Sequence, residues 1–199
     1  MGERLNRSFY LQPTLEVAKQ MLGKFLVREI GKERLVGKIV ETEAYIGPFD
    51  LASHAYGGKK TERNKAEFFE GGHIYIYLVY GMYWQFNIST SASGKPECVL
   101  LRALEPIEGI EIMRRNRNSS LQNLTNGPGK LCQAFALDKG YYGEDLVKSS
   151  RIWLEDRGFI VDESEIGCGP RIGIDYAGEW AKKPWRFYIK DNPFVSRRR

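Results

Sequence analysis

The sequence predicts an α+β fold, a mixed domain built on a mainly antiparallel sheet with peripheral helices. Three observations predict it. Apolar and polar residues alternate with period two over several stretches, glycines separate consecutive stretches at hairpin spacing, and few segments carry helical periodicity. With 199 residues, no internal repeat and no low-complexity linker, the chain is expected to form a single domain over 1–199.

In chain order, 13–23 reads as a packing helix with Thr14 as N-cap, Leu15, Ala18, Met21 and Leu22 on one face, and Gly23 closing it. Strands over 24–30 and 33–45 then form a hairpin about Gly31-Lys32. Within the second, Val40, Thr42 and Ala44 take one face and Glu41, Glu43 and Tyr45 the other, so two carboxylates and a phenol share a surface. A long polar segment, 47–72, holds His54, Gly57-Gly58, Lys59, Lys60, Arg63 and Lys65, and long loops often carry function. Its glycine amides and lysines can approach phosphate, and a solvated surface loop accounts for them equally. A lone histidine such as His54 is more often structural than catalytic.

The next strand sets Tyr75 and Tyr77 opposite Ile74, Ile76 and Leu78, turns at Tyr80-Gly81-Met82-Tyr83, and returns with Asn87 on the polar face between Phe86 and Ile88. A strand over 98–104 places Arg102 between Leu100 and Leu104, where a guanidinium is costly to bury without a carboxylate. Glu43 or Glu41 is its natural partner. Pro106 is expected to open a helix over 107–117, acidic early and basic late at Arg114, Arg115 and Arg117, either a capped surface helix or one whose basic end meets phosphate. After a loop over 118–126, Gly127-Pro128-Gly129-Lys130 leads into a helix over 131–137 that can seat a phosphate, without the spacing of a Walker loop. Segments 152–154, 171–174 and 186–189 read as later strands.

Composition narrows the function. No run approaches the roughly 20 apolar residues of a membrane span, and residues 1–7 mix charges where a secretory signal has an apolar run, so export is not expected. Cys98, Cys132 and Cys168 are odd in number and far apart, and His54 and His73 are the only histidines, so neither a disulfide framework nor a metal or cofactor site is expected. The net charge of +5 is compatible with a polyanion partner, but without Arg197, Arg198 and Arg199 the chain has 27 basic against 25 acidic residues, and much of the excess is a terminal tail.

A carboxylate backed by an arginine can hold and polarise a water, and several aromatics can sandwich a flat ligand. That combination suits hydrolysis of a bond to a planar base. Two glutamates two apart on one strand do not give the opposed acid and base of a sugar glycosidase. A structural ion pair beneath an aromatic core is the alternative, and the residues alone lead no further than an aromatic-lined site with an acidic centre.

The segments 40–48, 61–64, 80–83, 87–89, Leu100-Leu101-Arg102-Ala103-Leu104-Glu105-Pro106, 127–133 and Ala177-Gly178-Glu179-Trp180 resemble, in order, those of the alkyladenine (3-methyladenine) DNA glycosylases. The resemblance implies one domain with a curved antiparallel sheet that flips a damaged purine from duplex DNA and hydrolyses its N-glycosidic bond without metal, cofactor or covalent lysine intermediate. By matching position, Glu43 resembles the general base and Arg102 the residue that helps hold the attacking water. Tyr45, His54 and Tyr77 resemble the walls of the base pocket, Asn87 the floor residue that discourages guanine, and Tyr80 the wedge that fills the gap left by the flipped nucleotide. Lys59, Lys60, Arg63, Arg117 and Lys130 are candidate DNA backbone contacts. The expected partner is duplex DNA and the expected form a monomer, located in the cytoplasm at the nucleoid in a bacterium or in the nucleus of a eukaryote. A binder of damaged DNA without turnover is the runner-up.

Overall fold

Where period-two alternation runs unbroken, the chain forms strands that join one sheet. A computed structural model describes residues 2–196. Among them the strands are β1 (Glu3–Arg4), β2 (Phe25–Ile30), β3 (Glu33–Ile46), β4 (Ile74–Val79), β5 (Tyr83–Ser89), β6 (Glu97–Glu108), β7 (Ile152–Asp156), β8 (Ile166–Gly169) and β9 (Arg186–Ile189). The α-helices are α1 (Arg7–Tyr10), α2 (Thr14–Gln20), α3 (Ile110–Asn116) and α4 (Pro128–Ala134). Strand order is β1-β7-β2-β3-β6-β5-β4, with antiparallel pairing throughout. This is the α+β architecture expected. The basic tail at 197–199 lies outside the described residues, among which no helix is long and apolar enough to cross a membrane.

Strand β3 is the axis of the molecule. Its first half pairs with β2 across the turn at Gly31, β6 follows it along the other edge, and β9 replaces β2 at residues 41–43. One face of the sheet is covered by α2 and α4, whose Val17, Ala18 and Leu131, with the C-cap residues Met21 and Phe135, pack with Ile39, Phe86, Ile88, Leu101 and Leu104 in a continuous apolar core. Smaller clusters occupy other positions, one of them around Ala66, Tyr75 and Cys98 with Tyr45 and Tyr77 beside it. That smaller cluster leaves room for polar side chains at the sheet's far end.

Four expectations are corrected. Thr14 is the first residue of α2 and Pro13 its N-cap; the buried Thr14 hydroxyl bonds Thr90 Oγ1 at 2.7 Å and Glu97, so tertiary partners replace the helix amides. Pro106 opens no helix. It stands opposite Gly37 at a register shift between β3 and β6, where a ladder tolerates a residue without an N–H, and the strand runs on to Glu108. The last helix starts at Pro128 rather than 131, because proline suits the first helical position, and it ends at Ala134, two residues before Ala136 enters the left-handed region at φ 47°. Residues 171–174 form no strand, because Gly173 has φ 79° and the Ile172 N–H is committed elsewhere, as described below.

Gly109, which separates β6 from α3, shows why backbone freedom is needed at that corner. Its φ is 74°, and a Cβ there would lie 2.5 Å from the Arg34 carbonyl oxygen. Gly109→Ala is expected to lower stability by about 2 kcal/mol or more, since the left-handed backbone alone costs about 1–2 kcal/mol with a side chain. Urea unfolding measures it, and an unshifted midpoint would show that the corner relaxes freely.

Candidate active site

The site begins where β3 and β6 run side by side. Glu41 pairs with Ala103, Thr42 with Leu101 and Glu43 with Leu100, with register shifts on both sides of Glu41. These irregularities bring both carboxylates to the side of Arg102, whose Nε lies 3.3 Å from Glu41 Oε1 and whose Nη1 lies 3.3 Å from Glu43 Oε1. Both glutamates are fully buried and Arg102 is nearly so. Burial works against the guanidinium charge, but the Glu43 and Glu41 carboxylates outweigh it and raise the Arg102 pKa.

The two glutamates differ in what else they touch. Glu41 Oε1 accepts from Arg186 Nη1 and the Ser196 hydroxyl at 2.9 Å each and its Oε2 from the Ser196 N–H at 2.7 Å, so that with Arg102 this carboxylate meets four donors. Glu43 Oε1 accepts from the Ile172 N–H at 2.8 Å, and its Oε2 accepts from the Tyr45 phenol at 2.8 Å. A carboxylate has about four acceptor positions, so with Arg102 counted, Oε2 keeps one for a further donor. Burial and then the Glu43 charge push the Tyr45 pKa up, so the phenol remains a proton donor to Glu43.

The Ile172 amide is placed by its neighbour. Arg171, 3% exposed, pairs with the fully buried Asp50, with Nη2 2.8 Å from Oδ1, and Nη1 also donates to the Ala44 carbonyl at 2.9 Å. Its guanidinium lies over Tyr45 at 4.6 Å and Trp185 at 5.1 Å. This clamp holds the irregular segment against β3, where Ile172 faces Glu43.

Beyond Tyr45 a narrow cleft of about 10 Å³, room for roughly one water, is lined by Tyr45, Ala52, Ser53, His54, Glu67, Tyr75, Tyr77, Asn87 and Cys98. That is far below the roughly 300–1,000 Å³ of sites for drug-sized ligands, so these side chains must part to admit a base. His54 Nδ1 is 2.6 Å from the Tyr75 hydroxyl, and its ring meets Tyr77 edge-on at 4.5 Å. Burial first, then Arg63, lowers the His54 pKa, so the imidazole is neutral at neutral pH. The Asn87 amide nitrogen donates to the Tyr75 and Gln85 carbonyls at 3.2 Å each, which fixes its orientation at the buried end.

Tyr80 stands apart at the tip of the β4-β5 hairpin, 85% exposed, next to exposed Met82. The Met82 N–H closes the turn onto the Val79 carbonyl, with Tyr80 and Gly81 both in the left-handed region at φ 53° and 68°. The turn thus takes left-handed backbone at a tyrosine as well as at the glycine. Gly129 packs on the hairpin base, where an added Cβ would lie 3.0 Å from Tyr83 Cβ. That contact sets the start of α4, with Lys130 bonded to Asn126 Oδ1 at 2.7 Å, beside the hairpin.

The structure thus gathers Glu43, Arg102, Tyr45, His54, Tyr77 and Asn87, and leaves Tyr80 outside the cleft. The candidate backbone contacts are dispersed. Lys59 and Lys60 are exposed, whereas Arg63 donates to the Leu78 carbonyl at 3.2 Å and covers Tyr77 at 5.7 Å, bracing the wall. Arg117 Nη1 bonds Gln133 Oε1 at 2.7 Å on α4. Sequence reasoning missed the Ile172 amide, the Arg171–Asp50 clamp, Ser53, Cys98 and Glu67. Only Tyr75, set beside Tyr77 on one face of its expected strand, carried a signal.

A family model described as methylpurine-DNA glycosylase (MPG) matches residues 8–193. A Clostridium perfringens (strain 13 / Type A) protein named "Putative 3-methyladenine DNA glycosylase" is 47% identical over 204 residues, covering 98% of this chain and all of the relative. The DNA-3-methyladenine glycosylase of Mus musculus is 46% identical over 206 residues, covering 97% of this chain and 61% of the mouse protein. A match over nearly the whole length, together with these identities, means that the chain belongs to the methylpurine-DNA glycosylase family.

Proposed function

We propose that this DNA glycosylase excises alkylated and deaminated purines from duplex DNA by flipping the base into the cleft and hydrolysing its N-glycosidic bond with a water activated by Glu43. The observation that supports this most is what the two buried glutamates touch: Glu41 meets four donors from Arg102, Arg186 and Ser196, while Glu43 meets three, one of them the Tyr45 phenol of the cleft wall, and keeps an acceptor position on Oε2. In this reading a water donates to that position and attacks C1′ as the base leaves. Arg102 pairs with Glu43 and helps hold the water, and no metal, cofactor or covalent lysine intermediate is called for.

Tyr45, His54 and Tyr77 then hold the base, and Asn87 discourages guanine at the floor. Stacking on a protein aromatic contributes about 1–3 kcal/mol per base. A cationic alkylated purine adds attraction to the ring faces. Extrusion costs a few kcal/mol, least for a damaged base. Exposed Tyr80 offsets part of that by entering the emptied stack. Tyr80→Ala should weaken lesion-DNA binding about tenfold, or some 1.4 kcal/mol, while changing the hydrolytic step less. Equal lesion affinity in a binding titration would argue against the wedge. Lys59, Lys60, Arg63, Arg117 and Lys130 would add phosphate contacts and salt sensitivity.

The protein acts in this reading as a one-domain monomer wherever the cell keeps its DNA, at the nucleoid of a bacterium or in a nucleus. The test is incubation of excess protein, with chelator present, on duplexes carrying one hypoxanthine and on methylated DNA. Free base and abasic sites without prior strand cleavage are expected. Tight lesion-selective binding with no free base would instead make it a damage binder.

A further inference from the structure

The cleft holds one buried acid that the hydrolytic step does not use. Glu67 lies in the 3₁₀ turn Lys65–Phe68, is 2% exposed and lines the cleft with His54, Tyr75 and Asn87. The Tyr75 and Ser53 side chains lie within reach of its carboxyl, and His54 Nδ1 is 3.9 Å from Oε1. Oε2 nevertheless is buried and completes no hydrogen bond among the described residues. A buried polar atom without a partner is costly, and in a ligand cleft it marks a position that a ligand can satisfy.

The surroundings decide the state of this carboxyl. Burial, only partly opposed by Tyr75 and Ser53, raises the Glu67 pKa to about 8, so near neutral pH it is mostly protonated. The groups facing it supply no compensating cation. His54 is held neutral by burial and by Arg63. Tyr75 and Tyr77 on β4, Tyr45 on β3 and Cys98 on β6 are pushed up by burial and stay uncharged, and Asn87 on β5 carries no charge. Arg63 lies behind the Tyr77 ring.

We infer that Glu67 is a specificity-determining residue that presents a neutral carboxyl O–H, at the otherwise unpartnered Oε2, as hydrogen-bond donor to the ring carbonyl of an extruded deaminated purine. This rests on the excision reading above and deepens it. Hypoxanthine carries a carbonyl at C6, where 3-methyladenine carries an amine, so the neutral acid favours the first. Once ionised, the carboxylate would repel that carbonyl and attract the amine and the cationic ring.

The test compares single-turnover excision of hypoxanthine with release of 3-methyladenine from methylated DNA, from pH 7 to pH 9, for the protein and for Glu67→Gln and Glu67→Leu. For a group titrating near 8, the hypoxanthine-to-3-methyladenine rate ratio should fall about tenfold across that range. Glu67→Gln keeps a donor that cannot ionise, so its ratio should stay level; Glu67→Leu should lower the ratio at pH 7 about tenfold or more. A fall with pH that persists in Glu67→Gln would belong to the lesion's own ionisation and overturn the inference. Equal loss on both lesions in Glu67→Leu, with a lowered melting temperature, would reduce Glu67 to a structural group. Release of 3-methyladenine by the unaltered protein upholds the excision reading whatever the ratio does, whereas no free base from either lesion sinks that reading and the inference with it.

Discussion

Glu43→Gln should abolish nearly all excision and leave lesion-DNA binding largely intact. The amide fits the volume of the carboxylate and can still accept from either the Ile172 N–H or the Tyr45 phenol, which now lie 2.8 Å from Oε1 and Oε2. It cannot accept a proton from water. General base catalysis contributes about 10²–10⁴-fold, so a single-turnover rate lower by that factor is expected. The amide also turns an N–H₂ toward a donor, Arg102 or Tyr45, and this local mismatch should cost some stability. Rate and lesion affinity must therefore be measured on the same folded preparation. A rate close to that of the unaltered protein would remove Glu43 from the role of base.

Arg171→Met is the second large effect, and it acts on stability first. Removing the guanidinium leaves Asp50, fully buried, without its charge partner, and breaking a buried pair from one side costs about 3–5 kcal/mol. The same clamp seats the segment that gives the Ile172 N–H to Glu43, so excision should also slow at temperatures where the variant remains folded. Adding Asp50→Asn removes the stranded charge and should recover part of the stability but not the rate, which a double-mutant cycle would separate. If chemical denaturation showed Arg171→Met within about 1 kcal/mol of the unaltered protein, the pair would not be what holds this end of the molecule.

The sequence by itself determined the α+β class, because strand periodicity and hairpin glycines are local signals; the β2-β3 hairpin about Gly31 and the β4-β5 hairpin near Gly81 form where those signals lie. It also determined that Arg102 needs a carboxylate, since an arginine among strand leucines has few other solutions. It offered both Glu41 and Glu43. The tertiary structure engaged both and then separated them, through Arg186 and Ser196 from the far end of the chain and a backbone N–H from residue 172. No periodicity or motif encodes such contacts, because a backbone amide has the same chemistry at every position and acquires a role only by where the chain passes. Likewise the proline at 106 read as a helix start until its partner strand supplied a bulge for it. Glu67 falls in a segment that reads as a polar loop, because its burial comes from Tyr75 on β4 and from Ser53 and His54 brought back against it, contacts that the local sequence does not show.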